Sequence, residues 1–181
     1  IDEKDKDDRD TRMKGYGGSG HFAAVVNDAI KIGFPREKRG EQPLGKFMYY
    51  NAKTLCTSQK NEKGELVRVY DFKKMIVADG NLLRANVNVA FDKETGVFTF
   101  TQEADSRKGT RANPTDKVYA LIVDGVNEDA EFMTLRDRSE NGVTSFTVPE
   151  WWDKENLFVY VFAGTRTKRK ASPSACLYPA G

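Results

Sequence analysis

Two stretches of the sequence, at residues 117–123 and 157–163, are apolar at nearly every position. Strands of this composition are covered on both faces, so the two runs predict central strands of a sheet. From Leu66 onward, further short runs of β-branched and aromatic residues are separated by turn signals about every ten positions. No helical pattern interrupts them, which excludes a parallel βαβ architecture. The chain is therefore predicted to be mainly β and antiparallel.

The number and spacing of the runs predict an immunoglobulin- or fibronectin-like β-sandwich of about eight strands. The clearest hairpin joins alternating runs that end at Phe91 and begin at Phe98, with a turn at residues 92–96 closed by Gly96. A second tight hairpin is predicted at Asn141 and Gly142, and Pro149 ends the strand that follows. The expected strands lie near residues 66–78, 84–91, 96–103, 117–124, 130–136, 143–149, 157–163 and 174–178.

The part of the chain before Leu66 has a different pattern. Apolar residues recur at helical spacing over residues 22–34, and a second short helix is predicted from Phe47 to Leu55, before a linker at residues 59–64. Residues 1–20 are acidic and then glycine-rich, a composition typical of disorder unless another subunit or the chain's own sandwich holds the segment. The predicted organisation is a charged, glycine-rich tail (1–20), a helical N-terminal segment (21–64) and a β-sandwich domain (65–181).

The charge, the hydropathy and the cysteine content argue against a nucleic-acid-binding protein, a membrane-inserted protein and a disulfide-rich protein. The net charge is +2, from 29 basic and 27 acidic residues, which gives no global field that favours nucleic acid. No apolar stretch is long enough to predict membrane insertion. Cys56 and Cys176 do not form a disulfide framework. They are interpreted as two small buried hydrophobes, with a bridge between helix and sandwich as the alternative.

Several motifs across residues 22–178 carry a family resemblance. They are IKIGF at 30–34, YN at 50–51, VYDFKKMIVADGNL at 69–82, DKVYALIVDG at 116–125, TVPEWW at 147–152, LFVYVFAGT at 157–165 and SPSACLY at 172–178. With these the chain resembles a family of uncharacterised bacterial proteins that share a domain of unknown function. The resemblance implies a short helical N-terminal segment followed by an immunoglobulin- or fibronectin-like sandwich, and implies no activity.

Motifs for catalysis are weak. His21 is the only histidine, and it is interpreted as a solvated residue near a helix start rather than a general base. The sequence GYGGSG at 15–20 fits G-x-G-x-x-G, but an acidic tail precedes it instead of a strand, so it is interpreted as a linker. We therefore predict a non-enzymatic protein with no catalytic residue, metal site or cofactor.

Two surface features remain as candidate binding sites. Trp151 and Trp152, flanked by acidic residues, either cap the end of the core or grip a glycan or peptide. The basic cluster formed by Arg166, Lys168, Arg169 and Lys170 is placed at the turn between the last two strands. It either contacts an acidic partner or is a solvated tip that discourages edge aggregation.

These observations predict a structural or adhesive component of a larger assembly, such as a surface structure or a bacteriophage-like particle. It would act through contacts with other protein subunits, including copies of itself, and would be associated with a particle or cell surface rather than free in the cytoplasm. The alternative is a soluble ligand-binding module that uses the Trp151–Trp152 loop.

Overall fold

The computed structural model describes residues 2–105, 109 and 111–180, in which three helices precede nine strands. A 3-10 turn at Phe72–Lys74 and an extended segment connect the N-terminal part to the larger sheets. The helices are α1 (Glu3–Val25), α2 (Asn27–Gly33) and α3 (Pro43–Asn51), and the strands are β1 (Cys56–Lys60), β2 (Leu66–Tyr70), β3 (Asn86–Asp92), β4 (Val97–Glu103), β5 (Lys117–Asp124), β6 (Asp129–Asp137), β7 (Gly142–Thr147), β8 (Leu157–Gly164) and β9 (Ala175–Tyr178).

All strand pairs are antiparallel, and seven strands form the body of the protein. One sheet has the order β3-β4-β7 and the other has the order β6-β5-β8-β9. Residues from both sheets share one hydrophobic core, in which Phe98 and Phe100 of the first sheet join Ile122 and Val159 of the second. The two sheets therefore pack face to face, as antiparallel sheets with apolar inner faces do.

The four-stranded sheet is also covered on its other face. Tyr119, Leu121, Tyr160 and Phe162 point into a second core with α2, α3, the end of α1 and the extended segment near Val77. Residues 118–124 of β5 are all buried, and β8 is almost as completely buried. The two apolar runs of the sequence are therefore central strands with both faces covered, as predicted.

Most predicted strands are found, and the antiparallel, mainly β architecture is confirmed. The hairpin at residues 86–103 has the expected register, with Phe91 opposite Phe98 and with Gly96 at φ 71° closing the turn. The tight hairpin predicted at Asn141 and Gly142 is wrong, because β6 and β7 belong to different sheets. The Asn141 side chain instead accepts the backbone N–H of Ala104 at 2.7 Å, which fixes the crossing between sheets.

The region around Leu66 also differs from the prediction. Within the predicted strand 66–78 only Leu66–Tyr70 is a strand, and it pairs with β1 in a separate two-stranded sheet. Cys56 begins β1 and is not part of a helix. The predicted linker is the end of β1 and a turn, in which the side chain of Asn61 accepts the N–H groups of Lys63 and Glu65. Both cysteines are free; Cys56 is buried and Cys176 is half-buried.

The N-terminal tail is the largest difference. Residues 3–20, predicted to be disordered when alone, belong to α1, which docks on the β1–β2 hairpin. Gly15 and Gly18 are buried on the docked face, and a Cβ atom at Gly18 would lie 2.4 Å from the Cys56 sulfur. The glycine-rich stretch is therefore a close-packing face and not a linker. His21 consequently lies in the last third of α1, where its ring nitrogen is 2.7 Å from a carboxylate oxygen of Glu128.

A buried ion pair organises the end of the body where β5 begins. The Arg138 side chain is fully buried and donates to the Asp116 carboxylate at 3.1 Å. The same guanidinium donates to the backbone carbonyl groups of Leu83 and Arg84. A buried charge is tolerated only when it is paired and hydrogen-bonded in this way. The interaction connects the three loops that contain Leu83, Asp116 and Arg138 at this end of the sheets.

The double-sided burial of β8 gives a direct test of the core. Val159 is fully buried, so Val159→Asp should destabilise the protein by several kcal/mol, because it buries an unpaired charge. The matched control is Val143→Asp on β7, where the side chain is 53% exposed and the change should stay within about 0.5 kcal/mol. Urea unfolding of both variants measures the difference. Equal midpoints would contradict the assigned register of β8.

The glycine face of α1 gives a second matched pair. Gly18→Ala places a methyl group against Cys56 and should cost about 1–3 kcal/mol as overpacking. Gly20→Ala meets no atom within 4 Å and should stabilise the helix by about 0.5–1 kcal/mol. Thermal unfolding should show opposite signs for the two changes. A stabilising effect of both would mean that α1 does not dock closely on the hairpin.

Candidate functional site

The outer side of α1 and α3 carries the main exposed apolar surface of the helical part. Met13 and Tyr16 on α1 are 64% and 58% exposed, and Leu44 and Tyr49 on α3 are 52% and 84% exposed. They line two adjoining grooves of about 680 and 480 Å³, and Tyr16 lines both. The other wall of the larger groove consists of residues from Ala52 to Ser58. We call this surface, from Met13 to Tyr49, the α1–α3 groove.

The helix period explains why these side chains are exposed. Gly15, Gly18 and Phe22 lie on the buried face of α1 and contact the hairpin and the core. Residues three and four positions apart share a helix face, so Met13 and Tyr16 form a separate pair beside the docked face. No part of the described chain buries this pair. The packing that orders α1 thus leaves Met13 and Tyr16 exposed to solvent.

The second helix of the groove is held rigidly. Asn51 is fully buried, donates its amide to the carbonyl oxygens of Phe47 and Ile76, and accepts the backbone N–H of Ile76. The hydroxyl of Ser19 on α1 donates to the Asn51 carbonyl oxygen at 3.3 Å. These bonds connect α3 to α1 and to the extended segment. Because buried polar groups that lose their partners are costly, the relative position of the two groove helices is fixed.

Two neighbouring tyrosines of α3 have opposite environments. Tyr50 stacks on Phe34, with ring centroids 5.7 Å apart, and its hydroxyl donates to the Asp79 carboxylate. That hydrogen bond, with a smaller effect of burial, raises the pKa of Tyr50 to about 12. The ring of Tyr49 lies 5.2 Å from that of Tyr50 in a T-shaped arrangement and is otherwise open to solvent. Tyr50 therefore anchors the helix while Tyr49 faces outward.

Acidic side chains continue from the groove toward the start of α1. Residues 2–10 are all exposed and contain six acidic and three basic residues. Of residues 2–10, only Asp7 forms an ion pair with another described residue, namely Lys60 at 2.8 Å. The larger groove itself is lined by two cations, Arg12 and Lys53, beside its apolar residues. The carboxylates of Asp5, Asp8 and Asp10 lie beyond it toward the start of α1, where none of them forms an ion pair with a described residue.

Cys56 lies on the wall of the groove but is not activated. Burial raises the pKa of its thiol, and the nearby Arg68 only partly opposes this effect. A nucleophilic cysteine requires the thiolate, which this environment disfavours. The thiol therefore acts as a small packing group against Gly18.

The predicted tryptophan site separates into two environments. Trp152 is 4% exposed, belongs to the core between the sheets, and donates its indole N–H to the Asp129 carboxylate at 3.0 Å. Trp151 is 61% exposed, and its ring is perpendicular to that of Trp152. The two rings therefore do not form a common grip on a ligand, because one of them caps the core. A binding role for Trp151 alone stays a prediction.

The basic cluster lies where the sequence placed it, in the loop between β8 and β9. Residues 166–170, which we call the basic loop, are all exposed. Thr165 holds the loop, because its hydroxyl accepts the N–H groups of Arg169 and Lys170. Within the described part of the chain, the four cations Arg166, Lys168, Arg169 and Lys170 form no ion pair. They remain an uncompensated positive surface.

Residues 2–105, 109 and 111–180 hold no group of three or more histidine, cysteine or acidic side chains placed to bind a metal ion. None of the helices described combines the length and the apolar character that crossing a bilayer requires. Comparisons with family models, characterised proteins and solved structures gave no match. The α1–α3 groove is therefore the candidate site because of its exposed apolar residues and its shape.

No sequence motif points to the residues of the α1–α3 groove. Met13 and Tyr16 lie in the segment whose composition predicts disorder. Leu44 precedes the helix predicted from Phe47 to Leu55, and Tyr49 falls inside that helix but is not one of the residues that predict it. A usable signal was present in the charges, since Asp5 and Arg9, and Asp8 and Arg12, stand four residues apart as in a stable exposed helix.

The anchoring of α3 predicts a pH dependence. The raised pKa of Tyr50 means that its stabilising effect is complete below pH 10 and is lost as the pH rises through about 12. The stability advantage of the wild type over Tyr50→Phe should therefore be constant from pH 8 to 10 and shrink above it. Urea unfolding of both proteins across this range measures the advantage. Tyr49→Phe, which removes an exposed hydroxyl, is the control. An advantage that persists unchanged to pH 12 would contradict the Tyr50–Asp79 bond.

Proposed function

We propose that this protein is a non-enzymatic structural or adhesive component of a larger assembly, such as a surface structure or a bacteriophage-like particle. It acts through protein–protein contacts, and the α1–α3 groove is its contact surface. The observation that carries this proposal is the continuity of Met13, Tyr16, Leu44 and Tyr49 around two adjoining grooves. Contiguous exposed apolar surface with a polar rim is typical of protein interaction sites.

The composition of the groove supports protein contact. Tyrosine and methionine are enriched in the centres of protein interfaces, where they supply large contact areas at low entropic cost. The rigid attachment of α3 through Asn51 reduces the ordering cost of binding further. A preformed apolar surface of this kind favours a macromolecular partner.

The acidic start of α1 indicates the chemistry of the partner. The carboxylates of Asp5, Asp8 and Asp10 are exposed and precede Met13 on the same helix, with Asp10 one helical turn before it. A segment rich in lysine or arginine satisfies both features, because its aliphatic stems cover apolar rings while its charged ends reach the acids. We therefore assign a basic segment of another subunit to the groove.

We also propose that the body is a variant of the immunoglobulin- and fibronectin-like sandwich. Seven strands, β3 to β9, place the first, second and fifth in one sheet and the fourth, third, sixth and seventh in the other. In immunoglobulin constant domains the fourth strand joins the first sheet instead. The strand order thus supports a relative of that topology, of the kind the family resemblance implies. Such sandwiches commonly serve as cell-surface and assembly modules.

Site-specific photo-crosslinking tests the proposed contact. A benzophenone amino acid at Tyr16 or Tyr49 should form crosslinks to a lysine- or arginine-rich peptide of another subunit, identified by mass spectrometry, in the cells that produce the protein. The matched control places the same group at Val143, which is also exposed but lies on β7. Crosslinks at Val143 but at neither tyrosine, or crosslinks at none of the three positions, would overturn the assignment of the groove.

A further inference from the structure

We propose that the basic segment bound by the groove is the basic loop of a second copy of this chain, so that copies associate head to tail. This inference rests on the proposed function and names its partner. The start of α1, which leads into the groove, and the basic loop are both exposed, carry net charge of opposite sign, and belong to different ends of the same sequence.

Among the described residues, no ion pair joins the two surfaces within one copy. The contacts of α1 near its start are with the hairpin, through Lys60 and Ser58. The helix reaches the body at the end of β5, where His21 contacts Glu128. The basic loop instead follows Gly164, which pairs with Lys117 at the beginning of β5. A strand of eight residues separates the two ends of this sheet by roughly 23 Å.

The charges of the two surfaces are complementary. Residues 2–10 contain six acids and three bases, a net charge of −3, and the basic loop carries four cations and no acid. Complementary patches steer association and fix the register of two proteins. A second copy therefore supplies cations that balance the net negative charge of residues 2–10.

The apolar part of the groove fits the same loop. Arginine and lysine stems cover exposed rings, and an arginine plane over a tyrosine face adds a cation–π attraction. Tyr16 and Tyr49 present exposed rings in the groove, and Tyr16 lies on the same helix as the acidic residues. Exposed ion pairs alone are weak and screened by salt, so these aromatic contacts are needed for a stable complex.

The geometry of the contact determines the kind of assembly. The groove of one copy binds a different surface of the next, which is a heterologous interface. Such interfaces generate rings when the rotation closes and open filaments when it does not. Each copy has one groove and one basic loop, so the assembly can extend in both directions.

Charge reversal tests the pairing. In sedimentation measurements at low ionic strength, the wild type should exceed the monomer mass of 20.4 kDa as concentration rises, and added salt should reduce the excess. K168E/R169E in the basic loop should weaken self-association about tenfold. D5K/D8K in α1 should weaken it similarly. The control K38E/R39E reverses two exposed charges in the loop after α2 and should leave association unchanged.

Mixing the variants separates this pairing from a general charge effect. In a mixture of K168E/R169E with D5K/D8K, the reversed loop of the first variant meets the reversed helix of the second, and the unchanged loop of the second meets the unchanged helix of the first. The mixture should therefore associate beyond the dimer, in chains that alternate the two variants, although neither variant associates well alone. Circular dichroism of each variant checks that the fold is retained. Equal effects of K38E/R39E and K168E/R169E, or no association in the mixture, would overturn the inference.

The outcome also distinguishes the inference from the proposed function. If Tyr16 crosslinks to a basic peptide of a different protein while the purified chain stays monomeric at low salt, the self-association is wrong and the contact function stands. If Tyr16→Ser and K168E/R169E both leave self-association intact and the groove forms no crosslinks, the proposed function fails as well.

Discussion

The close approach of α1 to the β1–β2 hairpin is the contact on which the N-terminal half of the structure depends. Gly15 and Gly18 allow the helix to touch the backbone and the sulfur of Cys56, and no larger residue fits at Gly18 without a shift. A two-stranded hairpin is marginal in water alone, and a charged helix buries little apolar surface. Each element therefore supports the other. Their association presents Met13 and Tyr16 as a defined surface instead of a mobile tail.

The body depends on a different constraint, the burial of β5 and β8 on both faces. One face packs on the three-stranded sheet and the other on the helices and the extended segment, so the central sheet joins two hydrophobic cores. Asn51 connects this core to α3, because its side chain forms two hydrogen bonds with the backbone of Ile76 in the extended segment that covers the sheet. Contiguous packing and hydrogen bonds therefore connect the core to α1 and α3 and hold the two helices of the groove in a fixed position.

Sequence reasoning succeeded where one physical requirement dominated. The apolar runs containing Leu121 and Val159 have no alternative to two-sided burial, and the turn at Gly96 needs a left-handed residue. It failed where two interpretations had similar local patterns. Asn141 and Gly142 favour a turn in either a hairpin or a crossing between sheets, and only tertiary packing selects between them. The stretch around Gly18 has the composition of a linker, and its role as a packing face depends on Cys56, which lies far away in sequence. The groove could not be predicted, because its walls come together only after α1 has docked.

Hydrogen exchange on the monomeric chain tests most directly whether α1 belongs to the fold. At high salt and low concentration, where charge-driven association is screened, the backbone amides of residues 8–18 should be protected together with those of the β1–β2 hairpin. Such protection would show that the helix is ordered by its own chain and presents the groove before any partner binds. Rapid exchange of residues 8–18 beside a protected β5 and β8 would contradict the account, because the glycine face would then not hold the helix in the isolated protein.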